Sequence, residues 1–237
     1  MDCIASALSP ICAIAWGEFA MGYVGVGVVY NVSVDSTPRG YIRTDTNLPK
    51  NFMLIINDDD FDTAIESLRG AGFGDAPWSY GSRRNPRLFQ DEKIQAIHQR
   101  VAHEYRNLDD NSARFTFPPE SGVEERAILL RSSYTHLSIA SVPESRFTVM
   151  DNIYYPDKEL LLESFVKTLV REPGWSQWVS NLGMWTIAYV YGQLMVDDAV
   201  LDSSSDEKAK AWFDDKIRRY SGGLDRTTVT KRIGRNW

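Results

Sequence analysis

Residues 11–34 read ICAIAWGEFAMGYVGVGVVYNVSV, and the way this stretch divides into elements decides the fold. Residues 11–16 are an apolar run without charge, the pattern of a buried strand. Gly17 supplies a tight turn. Residues 18–24 place Phe19 and Tyr23 four apart, on one face of a short helix. Gly25 and Gly27 mark a second turn, and residues 28–34 are rich in β-branched side chains, as a strand is. The first thirty-odd residues are poor in charge. Yet the chain opens with Asp2 instead of a basic residue, and Glu18 interrupts the apolar run. The expectation is a buried core segment of a cytoplasmic protein with no membrane contact.

Working outward, residues 35–50 are polar, hold Pro38 and Pro49, and show no period, so they form a loop. Residues 52–56, FMLII, are a second buried strand. The acidic turn from Asn57 to Asp60 opens a helix to about Leu68, with Phe61, Ala64, Ile65 and Leu68 inward and Gly70 and Gly72 at its end. Residues 91–106 are an amphipathic helix with Ile94, Ile97, Val101 and Tyr105 as its stripe. Residues 114–117, 126–130 and 147–150 are strand-like. Helical patterns then cover 157–170, 175–196 and 206–220. The fold class is α+β: a small mixed sheet flanked by helices over residues 1–150, followed by a helical region, 151–237, packed on it.

The chain has 237 residues and a formal net charge of −6, so its surface as a whole does not advertise nucleic-acid binding. A basic stretch from Lys216 to Arg235 is read as a solvated helix end, or as a contact for phosphates. Cys3 and Cys12 stand among apolar residues and read as buried thiols. His98, His103 and His136 make no i,i+4 metal pair, and no Cys/His spacing suits zinc. His136 is either a packed side chain or a general base. Arg83, Arg84 and Arg87, near Trp78 and Tyr80, suit either a solvated loop or a nucleotide or RNA end. Trp178, Trp185 and Tyr189 share a helix face, as core or as the lining of a pocket.

Three segments carry a resemblance: CAIAWGEFAMGYVGVG (12–27), FMLIINDDDFDTAIESLRGAGF (52–73) and RAILLRSSYTHL (126–137). In that order they resemble the nucleotidyltransferase superfamily, and more closely a group of nucleotidyltransferase-like fungal proteins. YYPDKELLLESFVKTLV (154–170) and AYVYGQLMV (188–196) look similar to the helical region of that group. The resemblance implies two metal ions held by carboxylates on a strand, and a glycine turn at a helix start that meets phosphate. Gly17 matches the first glycine of that turn. Glu18 stands at the second position and brings negative charge toward a phosphate.

The carboxylate positions are where this chain departs. On residues 28–34 they fall on Asn31 and Ser33; on residues 51–56 they fall on Asn51 and Met53. A third acid would fall near Leu129 or Arg131. Asp58, Asp59, Asp60 and Asp62 lie close in sequence and are either helix-start caps or a relocated metal site. Mg²⁺ is therefore expected only if that acidic turn has replaced the lost pair, and otherwise no cofactor is expected. Residues 32–50 read as an inserted loop, either an ordinary surface loop or a translated intron.

The expected function is a ligand-binding pseudo-enzyme with a nucleotidyltransferase-like fold. The candidate residues are Gly17, Glu18, Asn31, Asp58, Asp60, Arg83, Arg84 and His136, and the partner is a small molecule or nucleotide. Two alternatives stay open. One is a repurposed transferase of specialised metabolism that joins small molecules using a nucleotide or aminoacyl-tRNA, by cyclodipeptide-type amide formation. The other is an active nucleotidyltransferase with a shifted metal site.

Overall fold

In the computed structural model, residues 2–27, 51–81 and 92–218 are described. Asn31, Ser33, Arg83, Arg84, Arg87, the 28–34 strand, the 32–50 loop and most of the basic tail lie outside the described residues. Helix α1 (Asp2–Leu8) leads to β1 (Ala13–Trp16), which passes without a linker into α2 (Gly17–Tyr23). β2 (Asn51–Ile56) follows, then a 3₁₀ turn at Asp58–Asp60 and α3 (Phe61–Gly70). The next stretch holds β3 (Gly74–Asp75), α4 (Glu92–Glu104), α5 (Arg106–Asp110) and β4 (Ser112–Thr116). β5 (Arg126–Arg131) runs into α6 (Ser132–Thr135), and the hairpin of β6 (Phe147–Met150) and β7 (Ile153–Pro156) precedes α7 (Lys158–Leu169). The chain continues through α8 (Gln177–Met184), a π-helix at Trp185–Gln193 and α9 (Glu207–Lys216).

Among the described residues the strands form one mixed sheet in the order β3-β4-β5-β2-β1-β7-β6. β2 runs antiparallel to β1 and parallel to β5. β7 runs parallel to β1. The expected α+β class holds. Met53 to Ile56 and Ala127 to Leu130 are all buried, although successive side chains point to opposite faces of a sheet. Both faces of these central strands are therefore covered, and a continuous apolar run is the sequence mark of that position.

The sheet continues past residue 150, because β7 pairs with β1. Core residues from Ile4 to Ile217 form one cluster, so the helical region and the sheet share a hydrophobic interior. Trp16 of β1 is its hinge point. Its ring meets Phe165 of α7 at 5.0 Å, Trp185 at 6.2 Å and Trp178 of α8 at 6.3 Å. Its Nε1 donates to Ser164 Oγ at 2.9 Å, and Ser164 in turn donates to the Thr135 carbonyl at 2.6 Å. β1, α6 and α7 are thus tied by polar bonds inside an apolar cluster.

Several expectations need correction. Cys3 and Cys12 are exposed instead of buried. Ile97 is 50% exposed, so the apolar stripe of α4 is narrower than its period suggests. The 175–196 pattern is not one α-helix. It starts at Gln177 and turns into a π-helix at Trp185, and Gly192 permits this, since a Cβ there would stand 3.0 Å from the Ile187 carbonyl oxygen. Trp178, Trp185, Tyr189 and Tyr191 are buried core residues, whereas Trp175 is 79% exposed. Among the described residues no helix is long and apolar enough to cross a membrane.

Candidate functional site

The topology sends the candidate residues to opposite ends of the sheet. Trp16 pairs with Met53 and Ile14 with Ile55, so Gly17 and Glu18 lie beside the start of β2. Asn57 and Asp58 follow its other end. A six-residue strand separates the two groups by roughly 17–20 Å.

At the first end, Gly17 adopts φ +57° and begins α2 directly after the extended Trp16. A Cβ at Gly17 would stand 2.4 Å from Met53 Sδ and 3.3 Å from the Trp185 ring. Glu18 is buried and so does not project into solvent. Asn51 and Met53 share one face of β2. Across the parallel ladder they pair with Arg126 and Ile128. Leu129 and Arg131, where a third acid was expected, are therefore not the neighbours of these positions. Arg131 lies at the far end of β5, with its guanidinium over the Phe61 ring at 4.1 Å and 3.9 Å from Asp62.

Arg126 is the residue that sequence reasoning missed. It is buried, and its Nε donates to Asn51 Oδ1 at 3.3 Å. Nη1 and Nη2 donate to the carbonyls of Ser79 and Tyr80 at 3.3 and 2.8 Å. The guanidinium also lies 5.5 Å from the Tyr80 ring centroid. An arginine opening the apolar run Ala127–Leu130 was the available signal, since a buried guanidinium requires acceptors.

At the second end, the turns after the parallel strands β2 and β5 border a groove of about 580 Å³. Asp58, Asp60, Ser132, Ser133, His136 and Ser138 contribute to it. Asp58 Oδ1 accepts from Ser132 Oγ and from the Ser133 N–H, each at 3.2 Å. Ser138 Oγ donates to Asn57 Oδ1 at 3.2 Å. Burial pulls the Asp58 pKa up. The hydrogen bonds from Ser133 and Ser132, helped by Arg131, outweigh it and leave the carboxyl below its ordinary range. Neither Asn57 nor Asp60 makes a side-chain capping bond, so Asp58 is better described as a tie between the two turns.

His136 closes α6 in the left-handed region, at φ 54°. Its imidazole pKa is lowered to about 4, first by burial, then by the charges of Arg171 and Lys167, against an opposing pull from Asp206. It is neutral at pH 7, with one ring nitrogen to donate and one to accept. His136 also lines a second, adjoining groove of about 510 Å³ with Lys167, Arg171 and Lys208.

The structure thus brings Asp58, Asp60 and His136 into one groove and leaves Gly17 and Glu18 at the other end. Among the described residues no group of three or more His, Cys, Asp or Glu side chains is placed to hold a metal ion. No family model matches the chain, and no curated protein or solved structure is significantly similar to it.

Proposed function

We propose that this chain is a nucleotidyltransferase-like protein that lacks metal-dependent transfer chemistry and acts by binding a small molecule or nucleotide. The observation that carries this reading is the Arg126–Asn51 pair beside Gly17. Two-metal transfer needs hard oxygen ligands projecting from neighbouring strands. Here the neighbouring strands offer an amide, a thioether and a guanidinium. A fixed positive charge repels a cation by roughly 4 kcal/mol per unit charge at about 4 Å, with an effective dielectric constant near 20. Met53 Sδ fills the space that a bulkier turn residue at position 17 would need.

The groove after β2 and β5 is the better place for a ligand. In sheets with parallel strands, ligands sit outside the carboxyl ends of those strands. The hydroxyls of Ser132, Ser133 and Ser138, the Asp58 carboxylate and a neutral His136 provide both donors and acceptors there. This is a hydrogen-bonding surface suited to a polar small molecule.

The test is calorimetry with Mn²⁺, first alone and then with ATP or CTP, alongside a thermal-shift panel of nucleotides with and without Mg²⁺. The expected result is that any nucleotide binding is independent of the metal. Tight metal binding that requires the nucleotide, and that is abolished by Asp58→Ala or Asp60→Ala, would overturn the reading in favour of a relocated transferase site.

A further inference from the structure

We propose that the groove between α7 and α9, beside His136, is a binding site for a compact oxyanion, the phosphate or carboxylate group of a small molecule. Lys167 of the last turn of α7 and Arg171, just past its C-terminus, line the same groove. Arg171 is held in place from two sides: Nη1 donates to the Lys167 carbonyl at 2.9 Å, and Nη2 to Asp206 Oδ2 at 2.5 Å. Those two bonds leave the rest of the guanidinium fork, with its five N–H donors, turned to other partners. Lys208 lines the same groove and forms no ion pair among the described residues.

The acids of the groove are already engaged. Asp206 takes the Arg171 bond and, as the cap of α9, accepts from the Ala209 N–H at 3.1 Å. Glu207 pairs with Lys210 at 3.4 Å. Glu163 forms an ion pair with Lys167 at 2.8 Å, and an ammonium carries three N–H donors. The imidazole of His136 borders these charges: burial lowers its pKa most, Arg171 and Lys167 lower it further, and Asp206 raises it. Asp58, Asp59 and Asp60 line the other groove, which His136 also borders. A neutral imidazole among unsatisfied ammonium and guanidinium N–H groups can add one donor to a bound oxyanion without adding a charge to be desolvated.

The site stands apart from the reading of the β2 and β5 end, with which it shares only His136, so metal and nucleotide calorimetry can fail without affecting it. The experiment is an NMR titration of the His136 ring against pH, assigned with His136→Asn. It is run in inorganic phosphate, in acetate, and in sodium chloride at the same ionic strength. A bound oxyanion reverses the local field, so the His136 pKa should rise saturably in phosphate, in acetate or in both, by about one unit or more. Whichever anion acts identifies the chemistry. Lys208→Gln, an exposed change that leaves the fold intact, and Arg171→Gln should each weaken the effect about tenfold, the usual size of one charge-assisted contact. An equal rise in sodium chloride would reduce the effect to screening and overturn the proposal. So would an unmoved His136 at tens of millimolar anion, or full binding in both variants.

Discussion

Arg126 and Asn51 stand opposite one another on the parallel strands β5 and β2, and the guanidinium Nε donates to the amide oxygen at 3.3 Å. The pair decides what that end of the sheet can hold. Changing Asn51 to Asp supplies one acid where metal ligands would be needed, but the nearest cation is already covalently in place. Asn51→Asp is expected to pair with Arg126, to leave the urea midpoint unchanged or higher, and to bind no Mn²⁺. Arg126→Met removes the donor to Asn51 Oδ1 and to two backbone carbonyls. It is expected to cost about 2–4 kcal/mol, the range for a broken buried polar network. Mn²⁺ binding by Asn51→Asp, measured by calorimetry, would show that the guanidinium does not control this end.

Gly17 meets two independent constraints, and they can be separated. Its φ of +57° is strained for any residue with a Cβ, and that Cβ would overlap Met53 Sδ. The conformational cost is about 1–2 kcal/mol and the overpacking cost about 1–3 kcal/mol. Gly17→Ala should therefore lower stability by roughly 2–5 kcal/mol. In a double-mutant cycle with Met53→Ala, only the overpacking part should be recovered, because truncating Met53 leaves the backbone angle as it is. Chemical denaturation of the four proteins gives the coupling. A coupling near zero would mean that Met53 swings aside freely.

Much of this sheet was legible in the sequence because its central strands are covered on both faces. FMLII and AILL are apolar throughout, and Met53–Ile56 and Ala127–Leu130 are all buried. The same signal failed at β7. Ile153–Pro156 is short, mixes Tyr with Pro, and pairs with a strand 140 positions earlier, so only tertiary structure reveals it. Asp58 and His136 were visible as candidates, but not as neighbours, since the parallel pairing of β2 with β5 brings their turns together. Arg126 was passed over because its chemistry depends on acceptors supplied by Ser79, Tyr80 and Asn51, none of them near it in sequence.

His136 gives the protein an acid-side stability slope. The unfolded imidazole takes up a proton near pH 6.5, whereas the folded one resists until about pH 4. Between those values the unfolded state binds more protons, so stability falls as pH drops through the window and the loss is complete below it. Solvent screening at this half-buried site reduces the loss to about 1–2 kcal/mol. The depressed carboxyls of Asp58, Asp157 and Asp206 act in a different window, because their stabilisation is lost only as pH falls through values under 3.8. His136→Asn retains a residue tolerant of the left-handed backbone. It should flatten the stability profile from pH 6.5 to 4 and leave the steeper fall below it. An unchanged slope in that variant, measured by urea titration at each pH, would place the titrating group elsewhere.

The last prediction concerns the segment before β2. Joining Asn31 directly to Phe52 removes residues 32–51, and with them Asn51, which is buried and accepts the Arg126 hydrogen bond. The junction nevertheless puts an asparagine back in that place, because Asn31 becomes the residue before Phe52. If residues 32–50 are an insertion, the shortened chain keeps the Arg126 acceptor and gains less than about 1 kcal/mol from closing a shorter loop. It should unfold at a denaturant concentration equal to or above that of the parent. The same deletion carrying Asn31→Ala should lose about 1–3 kcal/mol relative to it, the cost of leaving a buried donor without its partner. An insoluble deletion, or one weakened by more than about 2 kcal/mol, would identify part of 32–50 as core. Equal stability of the two deletions would show that Asn31 does not replace Asn51 opposite Arg126.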